Sequence, residues 1–475
     1  MKFTESKTKI IATIGPASTS KNILREMFKN GLDVCRLNFS HGSYENHFKA
    51  IKNIRELNKE LDINVAILAD LQGPKIRVGQ VEKDTILIEG NKFIITTREC
   101  EGNNEKVYLS YSTFPKDVKK GDLVLINDGK LKLEVQESNN NDEVITKVIC
   151  GGPLSSRKGV NLPNTIISLP SLTEKDKEDA EFALKQNVDW IALSFVRYAT
   201  DILELKDIIK KNKKKTFVIA KIEKPEALKE IDNIIDLADG IMVARGDLGV
   251  EVDFYQVPLI QKEIVNKCIL AAKPVVIATQ MMESMITNFR PSRAEATDVA
   301  NAVIDGADTV MLSGETSVGK YPVEVIKCMH DIIQYTEDKA YKYNRGKTPL
   351  EFNTTFLANS ICYNASMLAT QSKAAAIIIF SHSGYSAYQV AGHRPNAKIF
   401  SFTDNIELLS KLSLLWATKA FEFSFDKPID EAIHYSIDIL KKKHEIKNGD
   451  IVIHIGSTPL FKKERVNMLK ITYVN

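Results

Sequence analysis

The amino-acid sequence predicts an α/β protein built on a (β/α)8 barrel, and two observations lead to this prediction. Eight short runs are apolar and become polar or charged at their C-terminal ends, namely residues 10–15, 34–40, 66–70, 190–195, 217–223, 240–247, 274–280 and 309–315. Helix-length amphipathic segments separate them, and nearly continuous apolar runs are typical of parallel strands buried on both faces. The functional groups of such TIM barrels follow the C-terminal ends of the strands, so we expect an enzyme.

A long insertion separates the third predicted strand from the fourth. Within residues 72–168 the helical period disappears, and short alternating runs at 85–88, 93–96, 123–126, 130–135 and 144–148 take its place. Residues 127–129, which read Asn-Asp-Gly, and residues 139–142 have the composition of hairpin turns. We therefore predict an inserted all-β domain over 72–168, which emerges from the catalytic end of the barrel and closes over it as a lid.

The barrel is assigned to residues 1–71 and 169–345, and a different unit follows it. A polar linker at 341–353 contains Gly346 and Pro349. Beyond it, a helical segment at 354–370, an apolar run at 374–380 and a late apolar run at 451–455 alternate in αβ order. This order predicts a separate C-terminal α/β domain over 346–475, which we expect to be regulatory.

Composition excludes several functional classes. The 475 residues are 44% hydrophobic and 26% charged, with a net charge of +3, which is ordinary for a globular protein. The lysine run at 210–215 is expected to be a solvated helix end, so no nucleic-acid partner is predicted. No apolar stretch is long enough for a membrane span, residues 1–10 lack a signal-peptide core, and the six cysteines lack metal-ligand spacing. These features indicate a cytoplasmic protein in a reducing compartment.

The strongest chemical motif ends the fifth and sixth predicted strands. Strand alternation directs Lys221 and Glu223 to the same side, and Asp247 ends the next strand. Two carboxylates from neighbouring strands suit a Mg²⁺ ion that keeps waters and receives substrate oxygens. A lysine beside that ion is suited to bind phosphate or to stabilise an enolate. The alternative is a buried Lys–Glu pair that serves the barrel alone.

Two further motifs offer anion and cation ligands near that rim. Residues 244–249 contain Gly246 and Gly249, which allow backbone N–H groups to approach a substrate carboxylate with help from Thr279; a plain turn is the alternative. In residues 36–42, the planar fork of Arg36 suits a phosphoryl oxygen. The other polar groups offer oxygen ligands for a cation or structural hydrogen bonds, and they are Asn38, Ser40 and Asp70. His41 is expected to orient its loop rather than to act as a base.

A loop in the C-terminal domain has the composition of a phosphate site. Residues 381–386 read Ser-His-Ser-Gly-Tyr-Ser, follow an apolar strand and open a helix. The hydroxyls of Ser381, Ser383 and Ser386, with free backbone N–H groups around Gly384, suit a phosphorylated ligand at a helix N-terminus. An ordinary helix cap is the alternative. Because this domain lacks the acidic residues of the barrel, we expect its ligand to be an allosteric effector.

Taken together, these residues resemble the pyruvate kinase family over essentially the whole chain, including the β insertion and the C-terminal domain. The resemblance rests on residues 8–17, 36–42, 221–223, 240–249, 279–281, 283–285 and 305–315. It implies phosphoryl transfer from phosphoenolpyruvate to ADP, which gives pyruvate and ATP in the last step of glycolysis. It also implies Mg²⁺ or Mn²⁺ as the cofactor and a homotetramer.

The resemblance also implies a role for individual residues. Lys221 stabilises the transferring phosphoryl group and the enolate, and Glu223 and Asp247 hold the divalent ion. The N–H groups of Gly246 and Asp247, together with Thr279, receive the substrate carboxylate. Arg36 and Arg77 bind phosphate oxygens. Lys158, which comes from the lid, binds the nucleotide together with Asn38 and His41. Ser313 and Glu315 form a proton relay with Thr279 and water.

The chain departs from potassium-dependent relatives after the third strand. Those relatives carry Thr and Glu where this chain has Leu71 and Lys75. The family's monovalent-cation ligands correspond to Asn38, Ser40, Asp70 and the carbonyl of Leu71. An ammonium group is close to K⁺ in size and charge, so we expect Lys75 to replace the ion and K⁺ not to be required.

A second departure and two alternative functions complete the prediction. Tyr385 stands where relatives regulated by sugar bisphosphates often have a basic residue, so the identity of the effector is open; AMP and a sugar monophosphate are examples of the phosphorylated metabolites we expect. One alternative function is a Schiff-base aldolase with Lys221 as the nucleophile. The other is a phosphate-metabolite sensor in which the C-terminal domain acts over a catalytically dead barrel.

Overall fold

The first strands of the barrel start near the N-terminus. The computed structural model describes residues 6–163, 165–349 and 354–475. Its first elements are β1 (Lys9–Thr13), α1 (Lys21–Lys29), β2 (Val34–Asn38), α2 (Tyr44–Leu61) and β3 (Ala66–Asp70). The hydroxyls of Ser20 and Ser43 accept hydrogen bonds from backbone N–H groups in the first turns of α1 and α2, and these caps fix where the two helices begin.

The segment after β3 folds as a separate β unit with its own apolar core. Its elements are β4 (Ile86–Leu87), β5 (Lys92–Thr96), β6 (Lys106–Tyr108), α3 (Phe114–Asp117), β7 (Leu123–Ile126), β8 (Leu131–Ser138), β9 (Glu143–Cys150), β10 (Gly152–Pro153) and β11 (Val160–Asn161). Six strands form a sheet in the order β11-β7-β8-β9-β5-β6, and β10 pairs with β4. Alternate residues of these strands, such as Phe93 and Ile95, fill the core. We call this unit the lid.

The chain then returns to complete the barrel. The elements are α4 (Glu174–Lys185), β12 (Trp190–Leu193), α5 (Ala199–Lys211), β13 (Phe217–Ile222), α6 (Pro225–Lys229), α7 (Ile231–Leu237), β14 (Gly240–Ala244), α8 (Arg245–Glu251), α9 (Val257–Leu270), β15 (Val275–Ala278), α10 (Arg293–Asp305), β16 (Thr309–Leu312), α11 (Gly314–Ser317) and α12 (Pro322–Lys339). A short 3₁₀ helix, Glu283–Ile286, lies between β15 and α10. The strands close in the order β1-β16-β15-β14-β13-β12-β3-β2, which confirms the predicted barrel.

Several strands end earlier than the sequence predicts. The sixth predicted run, 240–247, stops at Ala244, and residues 245–251 form α8. The last run, 309–315, stops at Leu312, and α11 begins at Gly314. Short apolar runs do not distinguish a strand end from the buried first turn of a helix, because both place apolar side chains inside. Asp247 and Glu315 are therefore helical residues at the rim.

The C-terminal unit is a five-stranded sheet flanked by helices. Residues 341–349 have no regular structure, and residues 350–353 of the predicted linker lie outside the described residues. The elements are α13 (Phe356–Gln371), β17 (Ala376–Phe380), α14 (Tyr385–Gly392), β18 (Lys398–Thr403), α15 (Ile406–Lys411), β19 (Thr418–Glu422), α16 (Ile429–Lys442), β20 (Ile451–Gly456) and β21 (Met468–Tyr473). The sheet order is β19-β18-β17-β20-β21, and only the last pair is antiparallel.

This unit seals the N-terminal end of the barrel. Leu414, in a 3₁₀ helix at Leu412–Leu414, packs among the side chains inside the barrel, and its carbonyl accepts a 2.9 Å hydrogen bond from Thr309 Oγ1. Asp308, which precedes β16, forms a 2.7 Å ion pair with Arg394 of the C-terminal unit. The lid contacts the opposite, C-terminal end of the barrel, where Asn161 of the lid donates to Glu251 of α8, and the candidate site lies at that end.

The structure also bears on the cysteines and on membrane-spanning segments. All six cysteines are free. Within the described ranges, no helix has the length and apolar character that a membrane crossing needs.

Candidate active site

Lys221 is the centre of a buried cluster at the C-terminal end of the barrel. Its Nζ donates to Ser194 Oγ at 2.6 Å and lies 3.0 Å from Glu223 Oε1 and 3.3 Å from Asp70 Oδ1. The contact with Glu223 confirms that the two side chains share one side of the strand. The partners follow or end β12, β13 and β3, which are consecutive in the closed sheet. Barrel closure therefore brings the third strand beside the fourth, across the whole lid insertion.

The electrostatics of this cluster keep Lys221 charged. Burial acts to lower the pKa of Lys221, but the carboxylates of Asp70 and Glu223 outweigh it and hold that pKa above its ordinary value. Burial raises the pKa of Glu223, and the nearby carboxylate of Asp247 raises it further, against the opposing effect of Lys221. A Schiff-base nucleophile must lose its proton at working pH, so this environment disfavours the aldolase alternative.

The two predicted metal-binding carboxylates differ in their bonding. Glu223 Oε2 accepts a 2.7 Å hydrogen bond from the Phe195 N–H. In the described part of the chain, the Asp247 carboxylate has no hydrogen bond or ion pair, although it lies near enough to raise the pKa of Glu223. Two hard oxygen ligands that repel each other, with Lys221 only partly offsetting the repulsion, are a suitable donor set for Mg²⁺.

Water and substrate oxygens would have to complete the coordination of such an ion. The described residues contain no group of three or more His, Cys, Asp and Glu side chains placed to hold a metal. Mg²⁺ commonly uses only one or two protein carboxylates in phosphoryl-transfer sites, and it keeps several waters. The pair Glu223 and Asp247 fits that mode.

The predicted carboxylate site is occupied by an internal hydrogen bond. The Gly246 N–H donates to Thr279 Oγ1 at 2.7 Å, and this hydroxyl donates to the Ala278 carbonyl at 2.6 Å. A Cβ on residue 246 would lie 3.3 Å from Thr279 Oγ1, so the close approach depends on glycine. Thr279 itself has φ +70°, which is costly for a β-branched residue. The N–H and the hydroxyl are adjacent, as predicted, but they bind each other.

Arg245 holds this strained turn through a partner that sequence patterns do not reveal. Its Nη1 and Nη2 lie 2.6 and 2.7 Å from the two oxygens of Asp298, and Nη2 also donates to the Thr279 carbonyl at 2.8 Å. The bidentate pair fixes the plane of the guanidinium group. Arg245 stands inside the glycine motif, but Asp298 lies on α10, too far along the chain for a spacing argument to find.

Arg36 keeps one nitrogen available for a ligand. Its Nε lies 2.6 Å from Asp70 Oδ2, and its Nη1 donates to Thr13 Oγ1 at 2.7 Å. Nη2 has no hydrogen-bond partner among the described residues. Burial acts to raise the pKa of Asp70, but Lys221 and Arg36 outweigh it and lower that pKa. Asp70 therefore stays ionised and orients both cations.

Three of the four predicted monovalent-cation ligands contact other protein groups, whereas the Ser40 hydroxyl has no hydrogen bond among the described residues. Asp70 lies between two cations, Asn38 Oδ1 accepts the Ser40 N–H at 3.1 Å, and the Leu71 carbonyl accepts the Ser194 hydroxyl at 2.7 Å. Each of these contacts uses part of the bonding capacity that a bound ion would need. These contacts favour the alternative interpretation of the residues, in which they make structural hydrogen bonds and do not bind a cation.

Cationic side chains surround His41. Burial lowers the pKa of His41, and the positive charges of Lys75, Arg77 and Arg36 lower it further. Lys75 is exposed and follows a tight turn in which its N–H donates to the Gly73 carbonyl at 2.8 Å. A neutral imidazole among three cations fits the predicted orienting role better than that of a charged phosphate ligand.

The lid residues Arg77 and Lys158 lie on neighbouring backbone segments. Arg77 Nη1 donates to the Arg157 carbonyl at 3.0 Å, and the Lys158 carbonyl accepts the Val78 N–H at 2.9 Å. In the described part of the protein, the Lys158 side chain makes no hydrogen bond or ion pair with the barrel. The structure therefore brings Arg77 to the cationic cluster and leaves Lys158 at its edge.

Glu315 braces two loops at the rim. Its Oε1 accepts the Met282 N–H at 3.1 Å, and its Oε2 accepts the Ser313 N–H at 2.7 Å. Burial raises the pKa of Glu315 despite these hydrogen bonds. The described structure contains no hydrogen bond from Glu315 to Thr279, so the predicted relay would need water to connect them.

The predicted effector loop is an ordered turn before α14. The Gly384 N–H donates to Ser381 Oγ at 3.0 Å with φ +81°, and the Tyr385 N–H donates to Ser383 Oγ at 3.4 Å. Ser386 is buried in the helix. A cation missed in the sequence, Lys463, reaches this loop from the segment after β20.

Asp404 connects Lys463 to the effector loop. Its Oδ2 lies 2.7 Å from Lys463 Nζ, and its Oδ1 lies 2.6 Å from His382 Nδ1. Lys463 was not predicted, because a single lysine in a polar C-terminal segment has no distinguishing sequence signal.

Comparisons with known proteins agree over almost the whole chain. The family model for the pyruvate kinase barrel domain matches residues 5–326, and the model for the pyruvate kinase alpha/beta domain matches residues 359–472. The pyruvate kinase of Geobacillus stearothermophilus is 41% identical over 472 residues, which cover 99% of this chain and 80% of that protein. The pyruvate kinase of Staphylococcus aureus strain MRSA252 is 39% identical over 473 residues, covering 98% and 80%.

A solved structure gives the same result for the fold. The crystal structure of a pyruvate kinase from Cryptosporidium parvum matches with a TM-score of 0.92 and 36% sequence identity. The match covers 99% of this chain and 96% of that chain.

Proposed function

The chain belongs to the pyruvate kinase family, and from this membership we propose a role for each group at the catalytic end of its barrel. The resemblance found in the sequence is thereby confirmed. Such an enzyme transfers the phosphoryl group of phosphoenolpyruvate to ADP and forms pyruvate and ATP in the last step of glycolysis. The observation that carries our proposal is the cluster in which the Lys221 ammonium lies between the carboxylates of Asp70 and Glu223, beside Arg36.

Lys221 and Arg36 stabilise the charge that moves during the reaction. When the bond between phosphorus and the enol oxygen breaks, negative charge develops on that oxygen and on the equatorial phosphoryl oxygens. A permanently charged ammonium group needs no reorganisation to stabilise it. The free Nη2 of Arg36 binds a phosphoryl oxygen, while Asp70 and Thr13 fix the orientation of the guanidinium group.

Glu223 and Asp247 would hold Mg²⁺, or Mn²⁺ in its place. When bound, the divalent ion neutralises phosphate charge and polarises the oxygens of the substrate. Protein groups keep the two carboxylates ordered, and Lys221 Nζ lies 3.0 Å from Glu223 Oε1. Phe195 donates its N–H to Glu223, and the first turn of α8 presents Asp247.

The substrate carboxylate binds where Gly246 now contacts Thr279. An incoming carboxylate oxygen competes for the Gly246 N–H and for the N–H groups at the start of α8, which have no partner within the helix. Loss of the Gly246 N–H leaves Thr279 Oγ1 with an open acceptor site, and rotation of the hydroxyl away from the Ala278 carbonyl lets it donate to the substrate or to a water that protonates the enolate carbon. Ser313 and Glu315 hold the loop that carries this water, and Arg245 holds Thr279.

The nucleotide binds between the barrel rim and the lid. Arg77 and Lys158 contact its phosphates from the lid, and Asn38 and His41 contact it from the loop after β2. Closure of the lid excludes water, which would otherwise compete with ADP as the phosphoryl acceptor.

Lys75 takes the place of a monovalent cation. The support is that Lys75, like Arg77 and Arg36, lies close enough to His41 to lower its pKa, and that the oxygens of Asn38, Asp70 and Leu71 already contact protein groups. A tethered ammonium group supplies a positive field near the phosphates without a free ion. K⁺ is therefore not required for activity.

Regulation, assembly and location extend the proposal. A phosphorylated effector binds the turn formed by Ser381, Ser383 and Gly384, with Ser386 in the helix behind it and Lys463 as an added cation. The enzyme assembles as a homotetramer in the cytoplasm, where its free cysteines stay reduced.

A coupled assay of pyruvate formation from phosphoenolpyruvate, ADP and Mg²⁺ tests the proposed function. The expected result is rapid pyruvate formation without added K⁺. Absence of pyruvate above the uncatalysed rate would refute the assignment and favour a sensor with a dead barrel. Borohydride treatment in the presence of carbonyl substrates separates the aldolase alternative, because a Schiff base at Lys221 would be trapped as a covalent adduct.

A further inference from the structure

The lid contacts the barrel at a buried polar cluster away from the reacting groups. Glu251, the last residue of α8, accepts two hydrogen bonds on Oε1, from Lys224 Nζ at 2.7 Å and from Asn161 Nδ2 at 2.8 Å. Asn161 belongs to β11 of the lid, and Lys224 follows Glu223 directly. One carboxylate oxygen therefore joins the lid to two elements of the active-site rim.

The two partners of Glu251 differ in charge and in burial. The side chains of Lys224 and Glu251 are 6% and 1% exposed, so they form a buried ion pair. Removing one member of such a pair leaves an uncompensated buried charge, which is strongly destabilising. Asn161 is neutral and only partly buried, and its departure leaves Glu251 neutralised by Lys224. The contact with Asn161 can therefore break and re-form, whereas the pair beneath it persists.

The position of this cluster connects lid closure to the metal-binding groups. Helix α8 starts with Arg245 and carries Asp247, and Asn161 lies three residues after Lys158. A second lid segment reaches the same helix, because a Cβ on Gly129 would lie 3.9 Å from Val250 Cγ1. Lid residues thus contact the end of the helix that presents a predicted metal ligand.

We propose that Asn161 and Glu251 form a latch that stabilises the closed lid, with Lys224 neutralising Glu251 whether the lid is open or closed. Asn161 and Glu251 are positioning residues. They hold the segment that contains Lys158 against the helix that contains Asp247. The inference rests on the proposed function for its kinetic consequences, since a lid that closes poorly lowers the efficiency with which ADP is used.

An exchange of donor and acceptor tests the latch in the full-length enzyme. In Asn161→Asp the new carboxylate repels Glu251, and we expect kcat/KM for ADP to fall about tenfold, which is about 1.4 kcal/mol. In the double variant Asn161→Asp with Glu251→Gln, the amide donates to the new carboxylate and Lys224 keeps a negative partner. We expect kcat/KM to recover to within about threefold of the wild type.

Asn141→Asp is the matched control. Asn141 is exposed at the turn between β8 and β9 of the same lid. The substitution therefore adds the same negative charge to the lid at a position away from the latch. Its kcat/KM should stay within about twofold of the wild-type value. If Asn161→Asp behaves like this control, or if the double variant is no better than Asn161→Asp, the latch proposal is wrong.

Hydrogen exchange separates failure of the latch from failure of the proposed function. In Asn161→Ala, amides of 158–162 and of the 127–129 turn should exchange at least threefold faster, while those of 93–96 in the lid core stay unchanged. Unchanged exchange at 158–162 contradicts the latch even if the wild type makes no pyruvate. Faster exchange throughout the lid shows loss of its fold instead, and that result also counts against the proposal.

Discussion

Buried ion pairs lie at both ends of this barrel, and they differ in what their polar atoms are bonded to. At the N-terminal end, Asp308 and Arg394 are each 1% exposed. Both oxygens of Asp308 are bonded, Oδ1 to the Trp416 N–H at 3.2 Å and Oδ2 to the Val275 N–H at 3.0 Å and to Arg394. At the C-terminal end, Arg36 keeps a free nitrogen and Asp247 has no partner among the described residues.

This comparison shows that burial and charge alone do not identify a reactive site. The Asp308–Arg394 pair joins two domains and engages both oxygens of Asp308 and both Nη atoms of Arg394. Among the described residues only the buried Arg394 Nε of this pair lacks a partner, so the pair has little capacity left for a ligand. The Lys221 cluster is also mostly buried, with Lys221 and Arg36 each 11% exposed, but among the described residues Arg36 Nη2 and the Asp247 carboxylate have no hydrogen bond. Unused bonding capacity at the strand ends is what a substrate can use.

The largest expected effect concerns Lys221. Lys221→Met should reduce turnover by roughly 10³-fold or more, a loss of about 4 kcal/mol of transition-state stabilisation, because no other ammonium group occupies the cluster. Pyruvate formation measures the loss, and circular dichroism checks the fold. Lys273→Met is the control at the opposite end, where Lys273 Nζ donates to the Ala238 carbonyl at 2.6 Å. A loss below about tenfold for Lys221→Met would remove Lys221 from the mechanism.

The opposite end should respond in stability rather than in chemistry. Asp308→Asn leaves Arg394 charged in a buried site, and we expect a loss of about 3 kcal/mol in the free energy of unfolding. The midpoint of thermal or urea unfolding measures it, with kcat of the folded fraction close to the wild-type value. Asp430→Asn is the control, because its 3.0 Å pair with Lys470 is exposed and should contribute at most about 1 kcal/mol. Equal effects from the two variants would contradict the comparison.

A smaller effect is expected at Lys75. Wild-type turnover in tetramethylammonium buffer should lie within about threefold of that in KCl, and Lys75→Glu should create a K⁺ dependence of about tenfold, which is about 1.4 kcal/mol. The reason is that the variant loses the tethered cation and gains a carboxylate that can bind a free one. Lys75→Met separates loss of the cation from gain of the carboxylate. A wild type that loses most of its activity without K⁺ would show that Lys75 does not replace the ion.

The smallest effect is expected in the C-terminal domain. A phosphorylated metabolite such as AMP or a sugar monophosphate should shift phosphoenolpyruvate saturation about fivefold, or about 1 kcal/mol of coupling. Ser383→Asp with Ser386→Asp should abolish the shift by charge repulsion. Because Ser386 is buried, Ser383→Asp alone is the cleaner variant, and its activity without effector should be unchanged. A full effector response in Ser383→Asp would place the effector site elsewhere.

The sequence predicted the architecture well, because each part of it is encoded by neighbouring residues. Eight apolar runs with helices between them specify a closed parallel barrel, and period-2 alternation is enough to put Lys221 and Glu223 on one side. Helix starts are local in the same way, since Thr173 with Asp176 and Ser292 with Glu295 form capping boxes over four consecutive residues. Strand ends were less accurate, since Asp247 and Glu315 belong to short helices.

The sequence alone is enough to say which residue types follow the C-terminal end of each barrel strand, because periodicity and turn chemistry are local properties of the chain. Only the tertiary structure decided how those groups are bonded. Asp70 shares its oxygens between Arg36 and Lys221, Arg245 finds Asp298, and Glu251 joins Lys224 to Asn161. These partners come from distant segments, and closure of the barrel and docking of the lid fix which of them meet. The capacity left for substrate is therefore a property of packing.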